Sequence, residues 1–409
     1  MYAILKNKTQ RAKDLMTDFT CDLIRTPSGS LDEHDIALRI ERKMKELDYD
    51  RVFRDDAGNV IGVIYGTGNG PTVVLNAHMD TVIPNEGDGW IRDPYSGIIE
   101  NGRIYGAGAT DCKSGLVSQI FAGAVLKHSL LPLKGNLVVA ATVAEENGRS
   151  LGIRALMDET LPELGLKPDY FILGEPTNLG LHYGHDGWVQ LDIRVEGDQP
   201  FHVEDVANGI YRDLEEGSFD QVDPDGGESF SVTPPEFSDE GGQRRASIGL
   251  SRKIRQGEDF GSMVHNLKKN ASYVADNYGS VAVKVDVKQE NQQLYTGRTV
   301  AVRNIVNAWS TDPFHPVIER SRQTLAAAGC PVQPRKWNLN RLEMGTAGSV
   351  LVNEYNIPTV GYGPGHIEAA HAVDEWVEVN NIPTAAYGAA AMTHGLVGYP
   401  VFGWTADEI

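Results

Sequence analysis

Thr72–Asp80 reads TVVLNAHMD, and this stretch decides the fold. Its first six residues are a short, nearly continuous apolar run behind Gly70-Pro71. A run of this length, rich in β-branched residues, predicts a strand buried on both faces. It ends directly on His78 and Asp80. The same arrangement recurs along the chain. Leu137–Val143 leads into Ala144-Glu145-Glu146, and Tyr170–Leu173 into Gly174-Glu175-Pro176. Ile104–Gly108 leads into Thr110-Asp111, and Pro358–Tyr362 into Gly363-Pro364-Gly365 with His371 in the loop beyond. Val60–Tyr65 is a further strand-like run, and Lys113–Lys127 and Ser150–Leu161 have helical patterns. Apolar strands alternating with helices predict an α/β fold around a mixed, mainly parallel sheet. Ligands of open α/β sheets bind outside the carboxyl ends of the strands. If these runs share one sheet, His78, Asp111, Glu145, Glu146, Glu175 and His371 meet in one crevice.

Outward from this core, Asn7–Leu47 is expected to form two helices around the turn Thr26-Pro27-Ser28-Gly29-Ser30, with Ser30 or Asp32 capping the second. The pattern changes near Gly187. Val189–Val195 (VQLDIRV) alternates apolar and polar residues, as does Val281–Val287, and Ser247–Ser251 is a shorter candidate strand. Helices are expected near Val206–Glu216 and Phe260–Tyr278. The Gly-, Pro- and acid-rich Gly217–Gly242, with Asp220–Glu240 at its centre, is expected to be a solvated loop. This predicts a small α+β insert at 188–302, which splits a main domain into 1–187 and 303–409.

The composition is ordinary for a folded chain: 41% hydrophobic and 23% charged residues over 409 positions, enough to bury a sizeable core. The net charge of −19 argues against nucleic acid or an anionic membrane as the main partner, since both would repel such a surface. No apolar run approaches the ~20 residues of a bilayer span. The first residues, MYAILKNKTQ, lack a signal-peptide core, so the cytoplasm is the expected compartment. Cys21, Cys112 and Cys330 are far apart and form no CxxC pair, which predicts reduced thiols.

Two imidazoles and several carboxylates, with no thiolate needed, suit one or two divalent ions of the Zn, Mn or Co type. Buried carboxylates are costly unless protonated or paired with a cation. On an extended strand Glu145 and Glu146 point to opposite sides, so one can bind metal while the other serves as a base. Asp80, two residues after His78, is placed to accept its second ring N–H. Plainer readings exist. His78 could be a satisfied core histidine, Asp111 a helix cap, Glu175 a loop acid, and His366 competes with His371 for one ligand role. Cys112 reads as small and buried. Gly106-Ala107-Gly108 lacks the rest of a dinucleotide fingerprint.

The stretches VVLNAHMDTV, GRIYGAGATDCKSG, ATVAEENG, FILGEPTN and IPTVGYGPGHIEAAHAVDEWVEV together resemble the M20 metallopeptidase/amidohydrolase family, which includes succinyl-diaminopimelate desuccinylases, acetylornithine deacetylases, aminoacylases and carboxypeptidase G2-type enzymes. The resemblance implies a phosphorylase/hydrolase-like catalytic domain with an inserted ferredoxin-like lid that also mediates homodimerisation. It implies that Asp111 bridges two metals, that His78 and Glu175 complete one site, and that Glu146 and His371 complete the other. Glu145 becomes the general base acting on metal-bound water, and Asp80 orients His78. The implied reaction is hydrolysis of an amide in a small carboxylate-bearing substrate, such as an N-acyl amino acid or dipeptide. His202 falls near the lid histidine that, in relatives, polarises the scissile carbonyl in the partner's site, although the turn after it is shorter here and lacks its proline. Arg252, in Ser251-Arg252, stands where an acid–arginine pair is common and is a candidate for the substrate carboxylate. His366 is a candidate substrate contact. The unusual lid leaves two alternatives: the same site acting on an aryl amine or carbamoyl C–N bond, or a metal-containing binding protein without catalysis.

Overall fold

The computed structural model describes residues 1–85, 87–147, 150–217, 230–339 and 344–399. The central sheet has the strand order Arg51–Arg54, Val60–Ile64, Asn136–Thr142, Thr72–His78, Tyr170–Leu173 and Thr359–Gly361. The first two pairings are antiparallel, and the remaining three are parallel. The sheet is therefore mixed, as expected. Alternate residues of one strand feed two different cores. Val73, Leu75 and Ala77 pack with the helix Ser114–Ser129 and the C-terminal helix Asn381–Val397, while Val74 packs on the opposite face with Phe171, Trp309 and Trp337. Both faces are covered, which is why these strands read as continuous apolar runs.

Parallel register brings the strand ends together. His78 lies opposite Thr142, Asn76 opposite Leu173, and Leu173 opposite Gly361. One run departs from expectation: Arg103–Tyr105 joins a separate antiparallel sheet with Ile98–Glu100 and Trp376–Glu378. Its residues alternate in exposure, with only Ile104 buried, so it cannot occupy a sheet covered on both faces. The N-terminal segment also differs. It forms three helices, Tyr2–Arg11, Lys13–Ile24 and His34–Glu46, because the chain breaks at Ala12. Neither Ser30 nor Asp32 caps the last of these. Glu33 occupies the cap position, and its carboxylate accepts the Leu31 and Ala144 N–H groups instead.

The middle of the chain builds a second sheet, ordered Phe230–Val232, Gln243–Ile254, Gly187–Gly197 and Val281–Val287, antiparallel throughout. The helices Pro200–Glu215 and Phe260–Ala275 pack on it, so the chain runs strand–helix–strand–strand–helix–strand. Val189, Leu191, Ile193 and Val195 supply its core with Val206, Ile210 and Leu267. Gln243–Ile254 is longer than the expected Ser247–Ser251 because its alternating buried residues continue in both directions. Within the expected acidic loop, 218–229 lies outside the described residues. Phe230–Val232 and Glu236–Glu240 are strands paired to Gln243–Ile254, and the side chains of Glu236–Glu240 are exposed. The hairpin Gln289–Gln293/Thr299–Arg303 leaves this sheet for the main body. Leu294 and Val302 join the main core, and Tyr295 Oη donates to the Gly58 carbonyl.

Gly115 lets the helix Ser114–Ser129 close on the strand end that carries Glu175. A Cβ there would lie 1.7 Å from the Gly174 carbonyl oxygen. Gly115→Ala is expected to cost at least the ~1–3 kcal/mol typical of overpacking, seen as a lower urea midpoint. Gly261→Ala, where the nearest atom is 3.4 Å away, should leave the midpoint unchanged or raise it.

His185 gives the fold an acid-sensitive joint. Its Nδ1–H donates to the Asp186 carbonyl and its Nε2 accepts the Thr346 N–H. Burial holds its pKa down to about 4, against the ordinary 6.5. The neutral ring is the folded form, so this contribution is complete above pH 6.5 and is lost as the pH falls toward 4. Linkage gives a loss of about 2 kcal/mol by pH 5. His185→Gln should flatten the stability slope measured by denaturation between pH 7 and 5. An unchanged slope would contradict this assignment.

Candidate metal centre

His78 ends its strand, and its ring is fully buried. Its Nδ1 lies 2.8 Å from the Asp80 main-chain oxygen. A carbonyl only accepts, so Nδ1 carries the proton and Nε2 turns its lone pair inward. That Nε2 is 3.1 Å from Asp111 Oδ1 and 3.9 Å from Glu175 Oε2. On the other side of Asp111, Oδ2 is 3.4 Å from His371 Nε2, which in turn is 2.9 Å from Glu146 Oε2. Two ligands at ~2.0–2.1 Å from a tetrahedral ion lie about 3.3 Å apart, so these separations match donors sharing a cation. The ligand atoms of His78, Asp111, Cys112 and Glu175 lie within 4.8 Å of one another, and so do those of Asp111, Glu146 and His371. Asp111 belongs to both groups.

The electrostatics favour the same conclusion. Burial raises the Glu175 carboxyl to about 8, and burial also raises Glu146 and Glu145. Burial opposes the charge on Asp111 as well, but His371 and His78 pull its carboxyl below the usual range. His371 resists its own burial through Glu146 and Asp111, which hold it up to about 11. Two imidazoles do not balance this set of carboxylates. Divalent cations would do so, and the donors present, imidazole nitrogens and carboxylate oxygens, suit Zn, Mn or Co.

Asp80 acts differently from expectation. The strand ends at His78, so Asp80 lies beyond it, and its main-chain oxygen rather than its carboxylate holds the imidazole. The carboxylate accepts the N–H groups of Glu145 and Glu146 and the Ser30 hydroxyl. The extended-strand argument for Glu145 and Glu146 also changes. The strand stops at Thr142 and the chain turns at Ala144, with φ of +52°, so this turn rather than strand alternation separates the two side chains. Asp111 caps no helix; it lies in a tight turn just before Ser114–Ser129. His366 packs against the Trp376 ring, with centroids 4.9 Å apart, and is not in the cluster.

The two candidates on the second sheet lie elsewhere. Arg252 is buried, with its guanidinium 2.6 Å from Glu258, and so is engaged in an internal ion pair. His202 is in the first turn of Pro200–Glu215, where its ring meets Tyr278 at 5.4 Å. Neither belongs to the cluster of donors. Cys112 is buried, as expected, yet its sulfur sits among the donors on the His78 side.

Sequence reasoning missed the supporting acids. Glu375 accepts the N–H groups of Gly108, Thr110 and Asp111, and so orients the turn that carries Asp111. Glu33 does the same for Ala144. Lys113 is fully buried, and its Nζ donates to the Thr26 carbonyl. Only Glu375 had a visible signal, four residues after His371 in AAHAVDEW. The others depend on contacts between distant segments.

Known proteins resemble this chain in sequence and in fold. The chain is 26% identical over 405 residues to the Escherichia coli K12 protein YgeY, covering 94% of this chain and 95% of that one. It is 28% identical over 380 residues to a putative [LysW]-lysine/[LysW]-ornithine hydrolase of Pyrobaculum aerophilum, covering 89% and 93%. In fold it matches the YXEP protein of Bacillus subtilis, a dinuclear metal binding peptidase, with a TM-score of 0.66, 14% identity and coverage of 94% and 98%. The model of peptidase family M20/M25/M40 matches residues 74–394. The strand ends, the paired donor groups and this match together identify the chain as a metal-dependent hydrolase of peptidase family M20/M25/M40.

Proposed function

We propose that this hydrolase cleaves the amide bond of a small carboxylate-bearing substrate, such as an N-acyl amino acid or a dipeptide. The observation that carries this reading is the shared position of Asp111 between two groups of donors. On this reading His78 and Glu175 complete one divalent site, and Glu146 and His371 complete the other. The dinuclear description of the YXEP protein supports two ions. Ions bound there would polarise the scissile carbonyl and lower the pKa of water toward neutrality.

Glu145 then works as the base. It is buried beside His78, Glu175 and Glu146, and burial raises its proton affinity. It takes a proton from the attacking water as the new C–O bond forms, and returns that proton to the nitrogen as the C–N bond breaks. Asp80 holds the Glu145 and Glu146 main chain and the His78 ring in one frame, and Glu375 holds the Asp111 turn. We further propose that 188–302 is an inserted ferredoxin-like lid that also joins two copies of the chain, with His202 reaching the partner's site. The hairpin Gln289–Gln293/Thr299–Arg303 would dock it on the main body. Among the described residues, no helix is long and apolar enough to cross a membrane.

Glu145→Gln should retain its metal by elemental analysis and lose roughly 10²–10⁴-fold in kcat against a panel of N-acyl amino acids and dipeptides. Near-normal turnover would remove the base assignment. Metal titration should distinguish the two sites. His371→Ala is expected to lower the content from two ions per chain toward one, and Asp111→Ala to weaken both. Full occupancy by two ions in Asp111→Ala would refute the bridging role.

A further inference from the structure

A cavity of about 300 Å³ opens on the Glu146–His371 side of the cluster. Asp111, Glu146 and His371 face it from one side. Val82, Ile83, Pro84, Trp90 and Val373 give it apolar walls, and 45% of Val82, 60% of Ile83 and 45% of Val373 remains exposed although they are hydrophobic. No described lining residue is lysine or arginine, and the charged wall groups beyond the metal-facing donors are the acids Asp88 and Glu375. The cation of the adjoining segment, Arg92, is already engaged. Its guanidinium lies 2.7 Å from Glu100 and 2.9 Å from Asp374, stacked over Tyr105. Asp374 also accepts the Ile91 and Arg92 N–H groups, which ties the wall segment to the His371 loop.

We propose that this cavity is the acyl pocket and that it takes an uncharged, apolar acyl group, aliphatic or aromatic, and disfavours a dicarboxylic acyl group such as succinyl. The proposal rests on the amide-hydrolase reading with Glu145 as base. The leaving nitrogen must collect its proton from Glu145, so the amine half lies toward that residue. Glu145 does not line the cavity, which therefore receives the other half of the substrate. A second carboxylate placed there would lose its water against Ile83 and Trp90, meet no lysine or arginine among the described lining residues, and face Asp88. Any carboxylate the substrate carries then belongs to its amine half.

The test compares hexanohydroxamate with succinomonohydroxamate, which share a metal-binding head and differ in the acyl tail, by calorimetry on the full chain loaded with Zn²⁺, Mn²⁺ or Co²⁺. The hexanoyl probe should bind at least tenfold more tightly. Ile83→Lys, at an exposed position, should narrow or invert that ratio by supplying a cation. Equal affinities, preference for the succinyl probe, or binding of neither overturns the proposal. Turnover of N-hexanoyl and N-succinyl derivatives of one amino acid is measured in parallel. Selective hydroxamate binding without turnover of any amide would uphold the pocket and overturn amide hydrolysis instead.

Discussion

Asp111, Glu145, Glu146 and Glu175 crowd into one mostly buried space, and among the described residues the imidazoles of His78 and His371 oppose them. Charges of one sign at such separations repel strongly in a medium of low dielectric. The fold around them is organised to make that crowding tolerable. Parallel strands deliver Glu145, Glu146 and Glu175 at one edge, the turn before Ser114–Ser129 delivers Asp111, and main-chain N–H groups gather on the acids behind them. Divalent cations would complete the balance that the side chains leave open.

Asp80, Glu375 and Glu33 form the scaffold of this site. Each is a buried carboxylate whose oxygens accept main-chain N–H groups from a segment carrying, or leading into, a donor. Burial still raises the Glu375 carboxyl to about 7 and the Glu33 carboxyl to about 7, so these acids sit near the limit of what hydrogen bonding alone can hold charged. Lys113 lies fully buried near Glu375 and Asp80, and burial lowers its own pKa to about 7. The donors are thus held from behind by a polar layer, as metal ligands commonly are.

The approach to the site has a different character. One wall is apolar, and Arg92 of the adjoining segment is locked into Glu100 and Asp374. Arg252, the arginine that a reading of the chain alone would send to the substrate, is engaged by Glu258. Recognition on this side therefore rests on shape and dryness, and charge recognition must come from elsewhere around the cleft.

Local chemistry was enough to find the strands and the donors. TVVLNAH and LVVAAT are buried on both faces, so their apolar composition marks them without reference to anything distant, and a histidine or acid at or just beyond the end of such a run stands out. The antiparallel sheet was legible for a similar reason, since Val189–Val195 alternates in burial as it alternates in polarity. What the chain alone could not decide is how segments far apart meet. The place of Asp80's carboxylate on the Glu145 and Glu146 amides and the work of Glu33 and Glu375 depend on hydrogen bonds across long separations. Those bonds leave no periodic trace, because a buried acid and a loop amide have the same composition whether or not they meet. Residue type set which groups were able to bind a cation, and only packing selected which of them face one another.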